Sequence, residues 1–466
     1  MNVLLIDPPW IVENKENLWR KVGSCLPSLG MAYVAAVLEK NGHKVQIIDC
    51  TAEQISVDIV KEKLKNYSDI DFIGLTATTP IFPNALRIAR ICKEMFPNAK
   101  IVFGGVHPTV MPDETLSYDF VDFVVRDEGE ETMSELVSGE RPWKILGLSH
   151  KKNNKIIHNL ARPLIKNLDE IPPPAYNLLP MTKYRPATGS YKRLPAMSIF
   201  ATRGCPGRCT FCHRAFRGIV RPRSARNIID EIKLLQKDYG IKEVSFYDDT
   251  FTLFKNVVKE FCEIIKNEKI DITWSCFTRV DFVDEELLRA MKQSGCHLIL
   301  FGVESADEEI LKNIKKNISL EQVEKVVKLA RKIGIETRAS FMFGNPGETE
   351  ETIKKTINYA LKLDPDEVQF NITTVYPGTE MFEWADKQGY ILTKDWAKYN
   401  MSEVVMKLPT VSPETLQKYY KLAHRKFYLR PKIILRRLLN IRSLSQLKQE
   451  VKGGLAVISY FFSSKK

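Results

Sequence analysis

Three closely spaced cysteines are the residues of this chain best suited to chemistry. Cys205, Cys209 and Cys212 follow one another with the spacing C-x3-C-x2-C, and no fourth cysteine lies near them. A cubane iron–sulfur cluster usually takes four thiolate ligands. Three thiolates packed this closely could bind three irons and leave the fourth iron open to a small molecule. The spacing therefore predicts a 4Fe-4S cluster with one reactive corner.

The same thiols could instead bind zinc, which normally takes four ligands, often from two C-x2-C pairs. His213 is available as a fourth ligand, but it directly follows Cys212, and that placement would strain a tetrahedron. We therefore favour the cluster, and a small zinc site stays as the alternative.

The cysteine segment resembles the cluster-binding loop of radical S-adenosylmethionine (SAM) enzymes. Phe211, directly before the last cysteine, matches the aromatic residue that is usual at this place in the family. The resemblance implies that the open iron chelates the amino and carboxylate groups of SAM. It also implies that one electron from the cluster cleaves a carbon–sulfur bond, and that a 5′-deoxyadenosyl radical then abstracts hydrogen from a substrate.

The first 140 residues alternate between short apolar segments and helical patterns. Apolar strands separated by helices of about a dozen residues are typical of a doubly wound parallel sheet. Ligands of such sheets bind at the carboxyl ends of the strands. We predict an α/β domain over residues 1–140, with strands at 3–6, 45–48, 72–75, 100–103 and 123–125 and helices at 29–41, 83–96 and 130–136.

After residue 140 the chain passes through a connector into a second alternating series. The connector, 141–194, is predicted to contain a hairpin near 151–155 and a stiff proline-rich stretch at 171–175. The second series occupies 195–405, with strands at 197–201, 243–247, 273–277, 297–303, 337–343 and 367–374 and helices at 225–237, 255–266, 284–293, 320–333 and 350–363. Six strands with intervening helices predict a partial (β/α)6 barrel with its chemistry at the carboxyl ends of the strands.

The cysteines directly follow the first barrel strand, and polar groups or glycine follow the others. These residues are Tyr247, Asp248, Asp249, Arg279, Glu304 and Gly344. The resemblance implies that residues 247–249 bind the amino group of SAM. Arg279 is our candidate for its carboxylate, and Glu304 for its ribose or methionine end. Gly344 either allows close approach of the adenine or makes a turn.

A doubly wound domain before such a barrel resembles the cobalamin-binding subgroup of radical SAM enzymes. This subgroup includes lipid and peptide carbon methylases and the anaerobic magnesium-protoporphyrin ester cyclase. The matching segments are 7–10, 27–31, 76–79, 104–108 and 128–130. The resemblance implies cobalamin contacts from Pro9, Gly30, Thr76, Thr78, Gly104, Gly105, His107 and Gly129. Glycines let the backbone approach the corrin closely, and the two threonine hydroxyls can bond its nucleotide tail.

The amino-terminal domain departs from other cobalamin proteins in one respect. It lacks the Asp-x-His-x-x-Gly signature that supplies an axial histidine, so we expect His107 to lie beside the corrin without ligating cobalt. A nucleotide-type fold that binds nothing is one alternative. A methylthiotransferase domain with a second cluster is another, but Cys25, Cys50 and Cys92 do not close successive strands as that cluster would need.

Composition limits the cellular compartments and the binding partners that we expect for this chain. The 466 residues contain nine cysteines, and the six outside the cluster triplet show no paired spacing, which indicates a reducing and oxygen-poor cytoplasm rather than a disulfide framework. We find neither a signal peptide nor an apolar run of about 20 residues. The net charge of +12 is concentrated in a predicted basic helical region, 406–466. We consider three roles for its helices. They could pack on the barrel, or they could lie on an anionic membrane surface. Binding of nucleic acid is the least favoured of the three.

Together these features predict a cobalamin-dependent radical SAM enzyme. We expect it to methylate an unactivated carbon of a small or lipid-like molecule through methylcobalamin and the 5′-deoxyadenosyl radical. An external one-electron reductant of the flavodoxin or ferredoxin type would supply electrons. A cyclase or oxidative rearrangement of the porphyrin-cyclase type is the first alternative. An iron–sulfur binding or regulatory protein without turnover is the second.

Overall fold

The computed structural model describes residues 1–10, 23–187, 189–214, 216 and 218–439. This part of the chain contains a seven-stranded sheet, a six-stranded sheet and a short two-stranded ribbon, which follows the first strand of the six-stranded sheet in sequence. Helices cover both larger sheets. The predicted α/β class with two successive sheets is confirmed.

The first sheet has the strand order β2-β1-β3-β4-β5-β6-β7, and its first five strands run parallel. Residues 3–6 of β1 are fully buried, as expected when helices cover both faces of a parallel sheet. The strands are β1 (Asn2–Asp7), β2 (Lys44–Asp49), β3 (Phe72–Thr76), β4 (Lys100–Gly104), β5 (Phe123–Val125), β6 (Leu148–Lys152) and β7 (Lys155–His158). The helices are α1 (Leu29–Lys40), α2 (Cys50–Glu53), α3 (Val57–Leu64), α4 (Phe82–Met95), α5 (Val106–Val110), α6 (Pro112–Ser117) and α7 (Gly129–Val137).

The hairpin predicted near residues 151–155 forms, and it extends the first sheet. Its turn residues Asn153 and Asn154 both have positive φ, 50° and 59°, which suits the right-handed twist of a two-residue hairpin turn. Strand β6 pairs antiparallel with β5. The sheet therefore continues to His158, beyond the point where the sequence pattern becomes irregular.

The second sheet has six parallel strands in the order β15-β14-β13-β12-β11-β8 and forms the predicted partial barrel. Its strands are β8 (Ala196–Ile199), β11 (Glu243–Phe246), β12 (Thr273–Thr278), β13 (Cys296–Glu304), β14 (Glu336–Phe343) and β15 (Glu367–Ile372), and the ribbon is β9 (Thr202–Arg203) with β10 (Arg221–Pro222). The helices are α8 (Ala225–Tyr239), α9 (Lys255–Asn267), α10 (Glu285–Gln293), α11 (Glu308–Asn313), α12 (Leu320–Ile333), α13 (Glu350–Leu363) and α14 (Glu380–Lys387). Helices α11 and α14 were not predicted, because each is too short to show helical periodicity.

Two helices follow the barrel, α15 (Pro413–Tyr428) and α16 (Pro431–Leu439). Helix α15 packs its buried Tyr420 and Phe427 against the protein core. The carboxylate of Asp364 forms ion pairs with Arg430 at 3.1 Å, Lys432 at 2.6 Å and Arg436 at 3.0 Å. The first part of the basic region therefore packs on the barrel. Residues 440–466 of that region lie outside the described residues.

Within the described ranges, no helix combines the length and apolar character that crossing a bilayer requires.

The loop after β14 contains a buried carboxyl group whose pKa is raised by its burial. Glu348 is fully buried, and its Oε1 accepts a hydrogen bond of 2.6 Å from Thr352 Oγ1. Burial raises the pKa of Glu348 to about 7, although Thr352 and Asn345 hydrogen bond to the carboxylate. The unfolded chain should have the ordinary value of about 4.3.

This difference predicts a pH dependence of stability. Between about pH 4.3 and 7 the native state holds a proton that the unfolded chain releases, so the free energy of unfolding falls as the pH rises through this window. We expect Glu348→Gln to flatten this dependence and to raise the free energy of unfolding at pH 8 by up to about 3 kcal/mol. Urea unfolding at pH 5, 6, 7 and 8 measures it. Glu351→Gln, at an exposed position on the next helix, serves as the control and should retain the wild-type slope.

Candidate functional site

The ribbon of β9 and β10 closes the base of the cysteine loop, defined as residues 204–220. Arg203 pairs with Arg221, and Thr202 pairs with Pro222. Gly204 has φ +105°, and a Cβ there would collide with the carbonyl oxygen of Ile219. Only glycine allows the two ends of the loop to approach this closely.

The thiols of the cysteine loop converge within the fold. Cys205 Sγ accepts a hydrogen bond of 3.4 Å from the Gly207 N–H. A Cβ added at Gly207 would lie 3.2 Å from Cys205 Sγ and 3.9 Å from Cys209 Sγ. The Cys212 thiol hydrogen bonds to Cys209. All three predicted ligands are therefore brought together around one turn.

The surroundings of Cys209 favour its thiolate form. The hydrogen bond with Cys212 is the largest influence, and the cations Lys316 and Arg279 add to it against the opposing effect of burial. Together they lower the pKa of Cys209 to about 6. The same hydrogen bond, together with burial, raises the pKa of Cys212. Of this pair, Cys209 is therefore the residue favoured as the thiolate, which is the metal-binding form of cysteine.

The zinc alternative receives no support from this arrangement. Among the described residues, no three side chains of His, Cys, Asp or Glu converge tightly enough to bind one metal ion. His213 instead lines a cavity between the two domains.

A cavity of about 330 Å³, the barrel cavity, lies inside the second sheet at the carboxyl ends of its strands. Five of the seven residues predicted to bind SAM line it, namely Tyr247, Asp248, Asp249, Arg279 and Glu304. Phe211, which the resemblance also implies as a SAM contact, and Gly344 do not line it. A Cβ at Gly344 would instead lie 3.3 Å from Leu416 of helix α15, so this glycine makes a turn with φ +94° under the carboxyl-terminal helices. Its approach to adenine stays a prediction.

A buried ion pair forms one wall of the barrel cavity. Lys316 Nζ lies 3.0 Å from Glu304 Oε1, and both side chains are less than a tenth exposed. Glu304 has φ +72°, a left-handed conformation that is strained for a residue with a side chain. A Cβ at Gly302 would overlap Glu304 Oε1 and lie 2.8 Å from Lys316 Nζ. The glycine therefore makes room for the pair.

Arg279 is held by several partners at the edge of the same cavity. Its Nε donates to Asp281 at 2.9 Å, and its Nη2 donates to the carbonyl oxygen of Lys316 at 3.1 Å. Its Nη1 would lie 3.8 Å from a Cβ at Gly207, beside the cysteines. The guanidinium thus faces the position where a carboxylate near the cluster would bind.

The two aspartates after β11 differ in their roles. Asp248 is buried, and its carboxylate accepts hydrogen bonds from the backbone N–H groups of Ala201, at 3.0 Å, and Thr202. Burial raises the pKa of Asp248 to about 6 despite these bonds. Asp249 is exposed and lines the barrel cavity. Asp248 therefore fixes the start of the cysteine loop, and Asp249 lines the barrel cavity beside it.

A second cavity, the interdomain cavity, has a volume of about 560 Å³ and lies between the two sheets. Predicted cobalamin residues line it, namely Gly30, Thr76, Gly104, Gly105 and Gly129, together with the apolar Leu5, Val34, Leu75, Val125 and Met133. A Cβ on Gly30 would meet nothing within 4 Å, so the backbone is open to a ligand there. A Cβ on Gly105 would lie 2.8 Å from Thr76 Oγ1. Apolar walls interrupted by bare backbone suit the face of a corrin.

Three predicted cobalamin residues lie elsewhere. Pro9 is buried, and its carbonyl accepts a hydrogen bond of 2.9 Å from Asn84. Thr78 precedes the short turn Thr79–Ile81 and is absent from the cavity wall. His107 is fully buried, with its ring 4.1 Å from that of Phe82. Pro9 and His107 are therefore buried away from this cavity, and Thr78 is exposed, so the contacts of these three residues with cobalamin stay predictions.

Four charged residues join the two domains, and we call them the interdomain charge cluster. Arg203 donates to Glu128 Oε1 at 2.7 Å and to Glu130 Oε1 at 2.6 Å. Arg221 donates to Glu128 Oε2 at 2.8 Å. Burial disfavours the charged form of Glu128, yet hydrogen bonds from the two arginines lower its pKa overall. The cluster fixes the cysteine loop against the domain that lines the interdomain cavity.

The two cavities share the segment that follows β11. Tyr247, Asp248 and Asp249 line both of them. A ligand in the barrel cavity and one in the interdomain cavity would therefore approach each other at this segment.

Sequence reasoning missed several residues of this site. Lys316 and Gly302 were missed because neither belongs to a strand-end motif, although the glycine two residues before Glu304 was a usable signal. The roles of Glu128, Arg203 and Arg221 depend on contacts between domains, which no local pattern reveals.

Comparison with known proteins agrees with this geometry. The Radical SAM superfamily model matches residues 199–360, and the B12 binding domain model matches residues 18–137. An uncharacterized methyltransferase of Pyrococcus horikoshii is 40% identical over 464 residues, which cover 98% of this chain and 98% of that protein. The anaerobic magnesium-protoporphyrin IX monomethyl ester cyclase of Rubrivivax gelatinosus is 30% identical over 443 residues, covering 92% of this chain and 78% of that protein.

A solved structure shares the whole fold. The radical SAM methyltransferase TsrM from Kitasatospora setae, with cobalamin and a 4Fe-4S cluster bound, superposes with a TM-score of 0.70 at 18% identity. The match covers 98% of this chain and 99% of that chain.

A radical SAM barrel preceded by a B12-binding domain defines a cobalamin-dependent radical SAM enzyme. This chain belongs to that family, whose members include methyltransferases and the magnesium-protoporphyrin cyclases. Its cofactors are a 4Fe-4S cluster, SAM and cobalamin. The predicted enzyme class and all three cofactors are confirmed.

The open space at Gly30 gives a direct test of the interdomain cavity. We expect Gly30→Leu to weaken binding of hydroxocobalamin at least about tenfold, because the new side chain enters the cavity. The free energy of unfolding should change by less than about 1 kcal/mol, since leucine is a good helix former. Corrin absorbance and urea unfolding measure the two quantities.

Two further glycine variants serve as controls for this prediction. Gly30→Ala should have a smaller effect on binding. Gly105→Ala should lower stability as well, because Gly105 has φ +92° and its Cβ would crowd Thr76. Wild-type corrin affinity in Gly30→Leu would contradict the assignment of this cavity.

Proposed function

We propose that this enzyme transfers a methyl group to an unactivated carbon of a small molecule. The observation that carries this proposal is the shared wall of the two cavities at residues 247–249. Attack on one substrate carbon by both a radical and a methyl donor requires the two cofactors to face a common space. Because these residues line both cavities, ligands bound in the two cavities would lie next to each other at this segment.

The cofactors, when bound, supply a hydrogen-abstracting radical and a methyl group. The protein's own residues bind these cofactors and orient them. We assign the three cysteines to the cluster, Asp249 to the ammonium group of SAM and Arg279 to its carboxylate. These assignments are supported by the exposure of Asp249 in the barrel cavity and by the position of Arg279 beside the cysteines.

Glu304 and Lys316 complete the proposed SAM site. The carboxylate of Glu304 can accept hydrogen bonds from ribose hydroxyls or the methionine end, and Lys316 holds it in place at 3.0 Å. Glycines and apolar side chains of the interdomain cavity are assigned to the corrin face, with Thr76 available to a polar group of its tail.

The inner face of the last two barrel strands supports a substrate with hydrogen-bonding groups. Arg338, Ser340 and Gln369 line the barrel cavity. Arg338 is held by Glu367, whose carboxylate accepts from Nε at 2.6 Å. These polar groups are fixed before any ligand binds, which favours recognition of a polar molecule or the polar end of a lipid-like one.

The surface supports two further partners. Cys212 is exposed, so the cysteine loop is accessible to an external one-electron reductant. The side chains of Leu429, Ile434 and Leu435 are also exposed, near the cation Lys432. They support a peripheral contact of the carboxyl-terminal helices with an anionic membrane surface.

A cyclase of the magnesium-protoporphyrin type is the second candidate, favoured by the 30% identity to such an enzyme. The products of SAM separate the two functions. Methylation consumes one SAM as methyl donor, giving S-adenosylhomocysteine, and a second as radical source, giving 5′-deoxyadenosine. Cyclisation gives only 5′-deoxyadenosine.

The test uses anaerobically reconstituted protein with hydroxocobalamin, a strong reductant and SAM carrying a deuterated methyl group. Small-molecule and lipid extracts from cells lacking the gene provide substrate. We expect both SAM products and a metabolite that gains the labelled methyl group by mass spectrometry. Cys209→Ala should give no 5′-deoxyadenosine. Formation of 5′-deoxyadenosine alone, with a product of unchanged carbon count, would favour the cyclase.

The buried pair gives a sharper test of the SAM site. Lys316→Met leaves Glu304 buried without its cation, and we expect the affinity for SAM to fall at least about tenfold. The affinity for cobalamin should stay unchanged. Equilibrium dialysis measures SAM binding, and the EPR spectrum of the reduced cluster reports whether SAM reaches the iron. Lys315→Met is the matched control, because the neighbouring lysine pairs with Glu380 on the surface. Equal SAM affinity in both variants would contradict the assignment.

A further inference from the structure

The cysteine loop is also part of the interdomain cavity wall. Gly204, His213 and Phe216 line the cavity from the loop, and Gly129 lines it from the amino-terminal domain. If the cysteine loop becomes more or less ordered, the wall of the interdomain cavity therefore changes with it.

The base of the cysteine loop places two like charges side by side. Arg203 and Arg221 are directly opposite each other in the antiparallel ribbon. Like charges at such positions destabilise strand pairing. Glu128 offsets this repulsion because each of its two oxygens accepts a hydrogen bond from one of the arginines. Closure of the loop in the barrel thus depends on a carboxylate from the other domain.

Glu128 is also joined by sequence to the cavity. It directly precedes Gly129, the first residue of helix α7, whose backbone is exposed to the cavity. Glu130, on the other side of that glycine, bonds Arg203 as well. The segment 128–130 is therefore fixed to the loop base by the side chains of Glu128 and Glu130, and all three of its residues line the cavity.

We propose that Glu128 couples the cysteine loop to cobalamin binding, so that protein carrying the cluster binds cobalamin more tightly than protein without it. This inference rests on the proposed position of cobalamin in the interdomain cavity. When the three cysteines hold a cluster, the loop base and segment 128–130 lose conformational freedom before cobalamin arrives. Cobalamin then binds a wall that is already ordered, and a smaller entropic cost remains. Reciprocity requires that cobalamin stabilise the loaded loop by the same factor. Glu128 acts here as a positioning residue.

The experiment is a titration of hydroxocobalamin into the full-length chain, with the cluster reconstituted and without it, followed by corrin absorbance. We expect the wild type to bind at least about fivefold more tightly with the cluster present. In Glu128→Gln this ratio should fall toward one. Glu131→Gln is the matched control, since Glu131 lies on the same helix but pairs with Arg162 at 2.9 Å, and it should keep the wild-type ratio.

A second measurement keeps the test decisive if Glu128→Gln folds poorly. The double variant Glu128→Gln, Arg221→Met removes one of the two opposed cations together with their shared carboxylate, and it should fold while the ratio stays near one. Iron retention against a chelator, with and without cobalamin, should change by the same factor in the wild type.

The outcomes separate the coupling from the proposed function. Equal cobalamin affinity with and without the cluster in the wild type overturns the coupling and leaves the methyl-transfer proposal intact. A wild-type ratio in folded Glu128→Gln overturns the role of Glu128. Failure of cobalamin to bind under both conditions overturns the proposed function, and the coupling with it.

Discussion

A single buried carboxylate, shared by two arginines from another domain, is the interaction on which the rest of this structure depends. Glu128 and its two cationic partners are at most 13% exposed in their side chains. Burying charges is costly, and removing one partner of a buried pair costs about 3–5 kcal/mol because the others stay uncompensated. The two domains therefore cannot separate or rotate at this point without exposing an unpaired charge. This constraint fixes the cysteine loop relative to the first sheet.

Because the loop is fixed, the positions of the two cavities relative to each other are also fixed. Residues 247–249 close the barrel cavity on one side and the interdomain cavity on the other. Asp248 holds this segment to the strand end before the cysteines by accepting hydrogen bonds from Ala201 and Thr202. A buried acid thus positions the boundary, and its exposed neighbour Asp249 is left for ligand binding.

The sequence predicted what depends on local pattern. Strand bounds agreed to within about two residues because buried parallel strands are continuous apolar runs, and Cys205 and its partners were recognised by spacing alone. It did not predict what depends on the path of the chain after a strand ends. Thr76 faces the interdomain cavity but Thr78 does not, and His107 turns into the core. Lys316 was missed because its partner Glu304 lies on a different element, and only folding brings the two together.

The hairpin at the edge of the first sheet has a consequence for self-association. A strand at the border of a sheet exposes unpaired backbone groups and can recruit a strand from another molecule. Here the border strand and its turn carry Lys152 and Lys155, both exposed, at the position where a second copy would have to add its own edge. Bringing two such borders together would oppose lysine to lysine. This edge of the first sheet is thereby protected against edge-to-edge aggregation. The carboxyl ends of its strands stay open to ligands.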